Sequence, residues 1–277
     1  MTTSAAARPI IVRKPGFEFG DAIPRWWFLN NPVVTHVANG LHLVFPEGER
    51  FFIRSVNHYL DKIDDPELVE RAKCFFAQES RHGLEHQHSF EMLERQGFDV
   101  QGFLRPYRQR WMPAIERRSP AILRLSVTVA LEHLTATMGE SALQEDYLQA
   151  AHPDMRALLQ WHAAEEIEHK SVAFDVMRHV NPSYMLRIFG MVLAVLGLLT
   201  FWGIAARHIL KQEEGLGGAD KRRYRKQARA WRGGHTRQLI RRAFWEYLRP
   251  SFHPDNNDNY GLAQSYFEEV GMGASAA

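Results

Sequence analysis

The feature that most constrains this chain is an order of acidic residues set into otherwise apolar helical stripes. One Glu, a Glu-x-x-His, a second lone Glu and a second Glu-x-x-His follow one another as Glu49, Glu79 with His82, Glu132, and Glu166 with His169. The first two glutamates lie 30 positions apart and the second two 34, and corresponding members of the two halves are separated by 83 and 87. Residues three or four apart share a helix face. Glu79 and His82 can therefore reach one ion, as can Glu166 and His169. A carboxylate on a core-facing stripe is costly unless it is paired or holds a metal. Four of them in this order predict two helix hairpins, related by approximate twofold symmetry, that close on one buried cluster.

The stripes support that reading. Phe75, Phe90 and Leu93 continue the face of Glu79 and His82; Leu125, Val129, Ala136 and Leu143 flank Glu132; Leu159, Ala173 and Val176 flank Glu166 and His169. Glu49 falls in line with Ile53, Val56 and Leu60, whereas Glu47 reads as a surface carboxylate beside Arg54. Asn31-Pro32, Asp65-Pro66, Ser119-Pro120 and His152-Pro153 are cap-plus-proline starts, and a further helix is expected from Pro46 to about Ile63. Gly97 and Asn181-Pro182 are stops. No strand alternation is present. The fold class expected is all-α, a ferritin-like four-helix bundle with extra N-terminal and C-terminal helices. Its parts are an arm over 1–30 (loose to about residue 16, then an aromatic strap), the metal-binding bundle over 31–182, and a hydrophobic helix with a basic amphipathic appendage over 183–277.

Four helices that each offer a carboxylate, two of them also a histidine, suit a carboxylate-bridged dimetal site. Glu79 and Glu166 would bridge, His82 and His169 would each bind one ion, and Glu49 and Glu132 would be terminal. Hard oxygen donors with imidazole suit iron or manganese, with zinc a further option. His86 and His162 share the ligand faces and are expected as additional ligands or as groups that orient them. Glu165, Glu85 and His133 are lesser candidates of the same kind. Glu165 and Glu168 also stand three apart and read best as a solvated edge.

Four segments carry a resemblance. Phe45-Pro46-Glu47-Gly48-Glu49-Arg50-Phe51-Phe52, Gln78-Glu79-x-x-His82-x-x-x-His86, Leu131-Glu132-His133 and Trp161-His162-Ala163-Ala164-Glu165-Glu166-Ile167-Glu168-His169-Lys170 resemble the bacterial family labelled predicted metal-dependent hydrolase. The similarity runs from about Phe17 into the C-terminal region. It implies a ferritin-like metal site using these glutamates and histidines.

The chemistry expected is oxygen-dependent oxidation, hydroxylation or desaturation of a small apolar or lipidic substrate at two iron ions, with electrons from a separate donor. The alternatives are hydrolysis by a two-metal-activated water and a non-enzymatic metal-binding or storage role. No Gly-x-Ser-x-Gly elbow competes. The single cysteine, Cys74, excludes an intramolecular disulfide, and no export signal precedes the bundle. A cytoplasmic protein is therefore expected. The formal net charge of +2 hides an asymmetry, since residues 207–249 hold thirteen Lys or Arg against four Asp or Glu. Ile188 to Ala206 is nineteen residues without a charge, near the length that spans a bilayer. With the basic segment behind it, residues 184–249 predict peripheral or monotopic membrane contact, or packing on the bundle or on a second subunit. Nucleic acid is not expected as a partner.

Overall fold

The computed structural model describes residues 8–232 and 235–273, without the side chains of 231, 232, 235–237 and 240. Within them the start signals act largely as read. The Asn31 side chain accepts from the Val33 and Val34 N–H groups at 2.9 and 3.2 Å and opens α1, Pro32–Asn57. Asp65 does the same for Glu67 and Leu68 at the head of α2, Pro66–Arg95. Both helices place proline first, where an N–H would have no helical partner. Gly97, at φ +87°, takes the left-handed position that stops α2.

Two short helices, α3 (Gln101–Pro106) and α4 (Met112–Arg118), flank a wide turn at Tyr107–Trp111. The core resumes with α5 (Ala121–Gln144), α6 (Pro153–His169) and α7 (Val172–Val180). It is followed by α8 (Tyr184–Lys211), α9 (Gly218–Arg232), α10 (His235–Tyr247) and α11 (Tyr260–Glu269). The fold is all-helical, and among the described residues the only β pairing is an isolated bridge between Phe28 and Ala151.

α1 packs on α2 and α5 on α6, and contacts of α1 with α5 and of α2 with α6 close the ring. α5 also touches α7, α8, α10 and α11, which explains why it is apolar around its circumference and has no single stripe. The last third, expected as an appendage, packs along this body. α8 lies on both α1 and α5, and glycines allow the close approach. A side chain at Gly190 would stand 2.6 Å from the Ser126 carbonyl oxygen, and one at Gly40 would stand 2.6 Å from the Ala206 backbone nitrogen.

Four expectations need correction. Pro46 does not start a helix but sits inside α1; the bond it forfeits to the His42 carbonyl is outweighed by burial of Leu43, Val44, Phe51 and Phe52 on either side. That helix ends at Asn57, with a short turn at Leu60–Lys62 in place of a run to Ile63. Ser119 makes no capping bond, and α5 starts after Pro120. The fourth ligand helix is broken at Lys170–Ser171, where the Lys170 ammonium donates to the Asn257 carbonyl and the Asn259 side chain, both at 2.6 Å.

The strap reading fits: Trp27 and Phe28 are buried, and the Trp27 indole N–H donates to Asn39 at 2.9 Å. The arm before it is not loose from residue 8 onward, because Arg13 is only 8% exposed. Residues 1–7 of that arm lie outside the described residues, as do the side chains of Arg237 and Ile240 on the amphipathic segment.

Candidate metal centre

Each wall of the ring delivers its expected residue to one buried point. Glu49 comes from α1, Glu79 and His82 from α2, Glu132 from α5, and Glu166 and His169 from α6, and all six are at most 3% exposed. His169 Nε2 lies 3.3 Å from Glu79, 3.5 Å from Glu132 and 3.8 Å from Glu166. His82 Nδ1 lies 3.8 Å from both Glu79 and Glu166. Glu49, Glu79 and His82 form one set of converging donors, and Glu79, Glu166 and His169 another. Glu79 belongs to both, as a bridge between two ions requires.

Most of the atoms facing the centre lack hydrogen-bond partners, the Glu166 oxygens being the exception. Both oxygens of Glu49, Glu79 and Glu132, together with His82 Nδ1 and His169 Nε2, are buried without one. Buried polar atoms are nearly always satisfied, so this concentration fits cations. The other ring nitrogens are occupied. His82 Nε2 meets Glu165 at 3.1 Å, and His169 Nδ1 meets the Gln78 side-chain oxygen at 2.9 Å. The Gln78 amide nitrogen donates to Glu168 at 2.9 Å and to the Ile11 carbonyl at 3.0 Å, so its oxygen must face His169. Each ring is thus set to keep its N–H outward and, once neutral, to turn a lone pair to the centre.

Electrostatics agree. Burial, then the charge of Glu79, pushes the Glu49 and Glu132 carboxyls well above the usual range. Glu79 and Glu166 are held low against the same burial, Glu79 by His169 and His82 and Glu166 by His162 and His169. Burial disfavours charge on His82, but the hydrogen bond to Glu165 and the nearby Glu79 carboxylate prevail and raise it to about 10. His169 is also raised, by Glu166 and Glu79 against burial. Without metal, two carboxylates face two imidazoliums and the remaining carboxyls hold protons. Two divalent ions against four ionised glutamates and two neutral histidines balance as well, at +4 and −4.

A line of imidazoles runs out from Glu166. His162 Nε2 lies 2.8 Å from Glu166, His86 Nε2 lies 2.6 Å from His162 Nδ1, and His42 Nδ1 lies 2.7 Å from His86 Nδ1. With Glu166 accepting, each neutral ring donates inward, and His42 Nε2 is left as a buried acceptor without a partner. His162 Nε2 also lies 3.9 Å from Glu49, and Glu49, His86 and His162 form a further converging set.

Glu165 and Glu168 do not form a solvated edge. Arg13 donates to both Glu168 oxygens at 2.8 Å and to Glu165 at 3.3 Å, with all three side chains buried. Glu85 and His133 point elsewhere: Glu85 pairs with Arg81 and His88, and His133 Nε2 meets the Ala243 carbonyl at 2.9 Å. Glu47 pairs with Arg50 and Arg54. A cavity of about 250 Å³ reaches Glu166 and His162; Leu41, Phe45, Met138, Leu159 and Trp202 make most of its wall apolar.

A family model described as predicted metal-dependent hydrolase matches residues 11–258. The chain belongs to this family. No curated protein and no solved structure matches it. The matched span of the metal-dependent hydrolase family includes every residue of the centre, and also residues that sequence reasoning missed. Arg13, Gln78, Thr135 (whose hydroxyl donates to Glu166) and His42 all belong to the shell around the donors. Gln78 directly precedes Glu79, yet a neutral amide beside a ligand gives no sign of its role. The others gave no local signal, because their partners are 31 to 155 positions away.

Proposed function

We propose that this protein is a dimetal carboxylate enzyme of the ferritin-like type, acting by oxygen-dependent oxidation on an apolar or lipidic substrate. The observation that carries the reading is the cluster of partnerless donor atoms beside a mostly apolar cavity. Glu49, Glu79, His82, Glu132, Glu166 and His169 would hold two ions, with His162 within reach as a further donor. Bound as iron, such a pair supplies redox equivalents for dioxygen activation, re-reduced by a separate donor. The protein's own part is positioning. Glu165 and Gln78 fix the two imidazoles, Thr135 and His162 steer Glu166, and the His162–His86–His42 line holds protons beside the centre. The apolar wall admits hydrocarbon and excludes bulk water.

Hydrolysis is the second reading, favoured by the family's description. There the pair would activate water, and the substrate would carry an ester or amide bond near an apolar group.

Elemental analysis of protein purified without chelators, with spectra and oxygen uptake after reduction, separates these readings. About two irons per chain with reductant-dependent oxygen uptake is expected. Two zinc or manganese ions with no oxygen response would give the site to hydrolysis, and no bound metal would remove both. Glu79→Ala is expected to lose both ions, and His82→Ala chiefly one.

A further inference from the structure

α8 has one face that no described residue covers. Its inner face is fastened along its length: Ser126 donates to the Leu186 carbonyl at 2.7 Å, the Trp202 indole donates to the Val37 carbonyl at 2.6 Å, and His208 Nε2 meets the Asp99 carbonyl at 2.6 Å. The outer face carries Met185, Phe189, Val192, Leu196 and Leu199, which are 72, 53, 43, 59 and 53% exposed. Their steps of four, three, four and three make one continuous apolar row. A row of this kind in contact with water marks an interaction surface.

Charge identifies the occupant. α9 follows α8 after a short turn and packs on the start of α1, where the Asn31 amide donates to the Tyr224 carbonyl at 3.2 Å. It holds seven Lys or Arg against the single acid Asp220, and Arg222, Arg225, Lys226 and Arg229 are exposed. We propose that the outer face of α8 and the cations of α9 dock this protein on an anionic lipid bilayer, with α8 lying in the headgroup plane. An apolar helix face joined through a short turn to a basic helix is what such a surface binds. Crossing the bilayer would require α8 to break its fastenings to α1 and α5. A second copy fits less well, because a twofold contact sets each patch against itself and would gather both α9 cation rows with no acidic row opposite. Trp202 of α8 and Leu239 of α10 also line the cavity that reaches Glu166, so a docked chain would draw an apolar substrate from the lipid. That consequence rests on the proposed function; the docking does not.

The test is flotation of the full chain with phosphatidylcholine vesicles, with and without phosphatidylglycerol. The chain is expected to float with the anionic vesicles at low salt and about tenfold less with neutral ones. Phe189→Glu with Leu196→Glu, at exposed positions, should cut flotation about tenfold with the helical melting curve unchanged. Arg222→Gln with Arg225→Gln and Lys226→Gln should weaken binding and flatten its salt dependence. A wild-type chain that floats with neither vesicle overturns the proposal, as do variants that float equally well. A dimer by light scattering that Leu196→Glu splits, with no flotation, would make the face a contact between copies. Flotation is read without turnover, so a failed activity assay leaves it standing.

Discussion

Arg13 shows how far the centre's support reaches beyond its donors. It is the cation facing Glu165 and Glu168, which in turn orient His82 and, through Gln78, His169. Arg13→Ala strands two buried carboxylates and is expected to cost about 3 kcal/mol or more in urea unfolding. His162→Ala removes a hydrogen bond to Glu166 and should weaken metal affinity by about 10–100-fold, read by chelator competition. Proton release reports the charge balance. Glu49 and Glu132 are raised and so hold protons without metal, and His82 and His169 are raised and so are charged. Loading the proposed pair of ions should therefore displace up to four protons, two from the carboxyls and two from the imidazoles, and affinity should fall as pH falls. Titration in buffers of different ionisation enthalpy measures this. The donors were legible in the sequence because a carboxylate or histidine on an apolar stripe is too costly to bury without a cation or a partner. Arg13 was not legible, because an arginine in an N-terminal arm looks the same whether it is solvated or buried against residue 168.

At the scale of elements, caps and stops were readable because they are local: Asn31, Asp65 and Gly97 act within four residues of themselves. Pro46 misled for the complementary reason, since local chemistry records its missing N–H and not the packing that outweighs it. The seat of α8 rests on small residues. Gly190→Ala would press a methyl group onto the Ser126 carbonyl and should destabilise by about 1–3 kcal/mol. Its far end is held by Glu213, which accepts from Arg25 at 3.0 Å and from the Trp26 indole at 2.9 Å and meets His36 at 2.6 Å. Against its burial, His36, Trp26 and Arg25 hold this carboxyl down to about 2. A depressed acid stabilises above its unfolded value near 4.5 and loses that contribution as pH falls toward 2. Glu213→Gln should therefore cost about 1–3 kcal/mol at neutral pH and flatten the acid limb of the stability curve, as urea midpoints across pH would measure.

For the whole molecule, nothing local foretold that the last third would form part of the body, since an apolar helix reads alike as a span, a core element or a surface. Loading the centre should stabilise the entire fold, by about 2.7 kcal/mol when free metal is a hundredfold above its dissociation constant. The arm bearing Arg13 and the segment after α11 are fixed to each other: Arg13 Nε donates to the Met272 carbonyl at 3.0 Å, and its guanidinium lies 3.3 Å from the centre of the Phe267 ring. This imposes a chronology. Residue 13 is synthesised 259 residues before residue 272, and its seat is unfinished until residue 272 has left the ribosome. On the proposed metal centre, helices that have already emerged would gather metal before the arm locks it in. A chain ended after residue 259 should take up metal and then release it faster to a chelator than the full chain does.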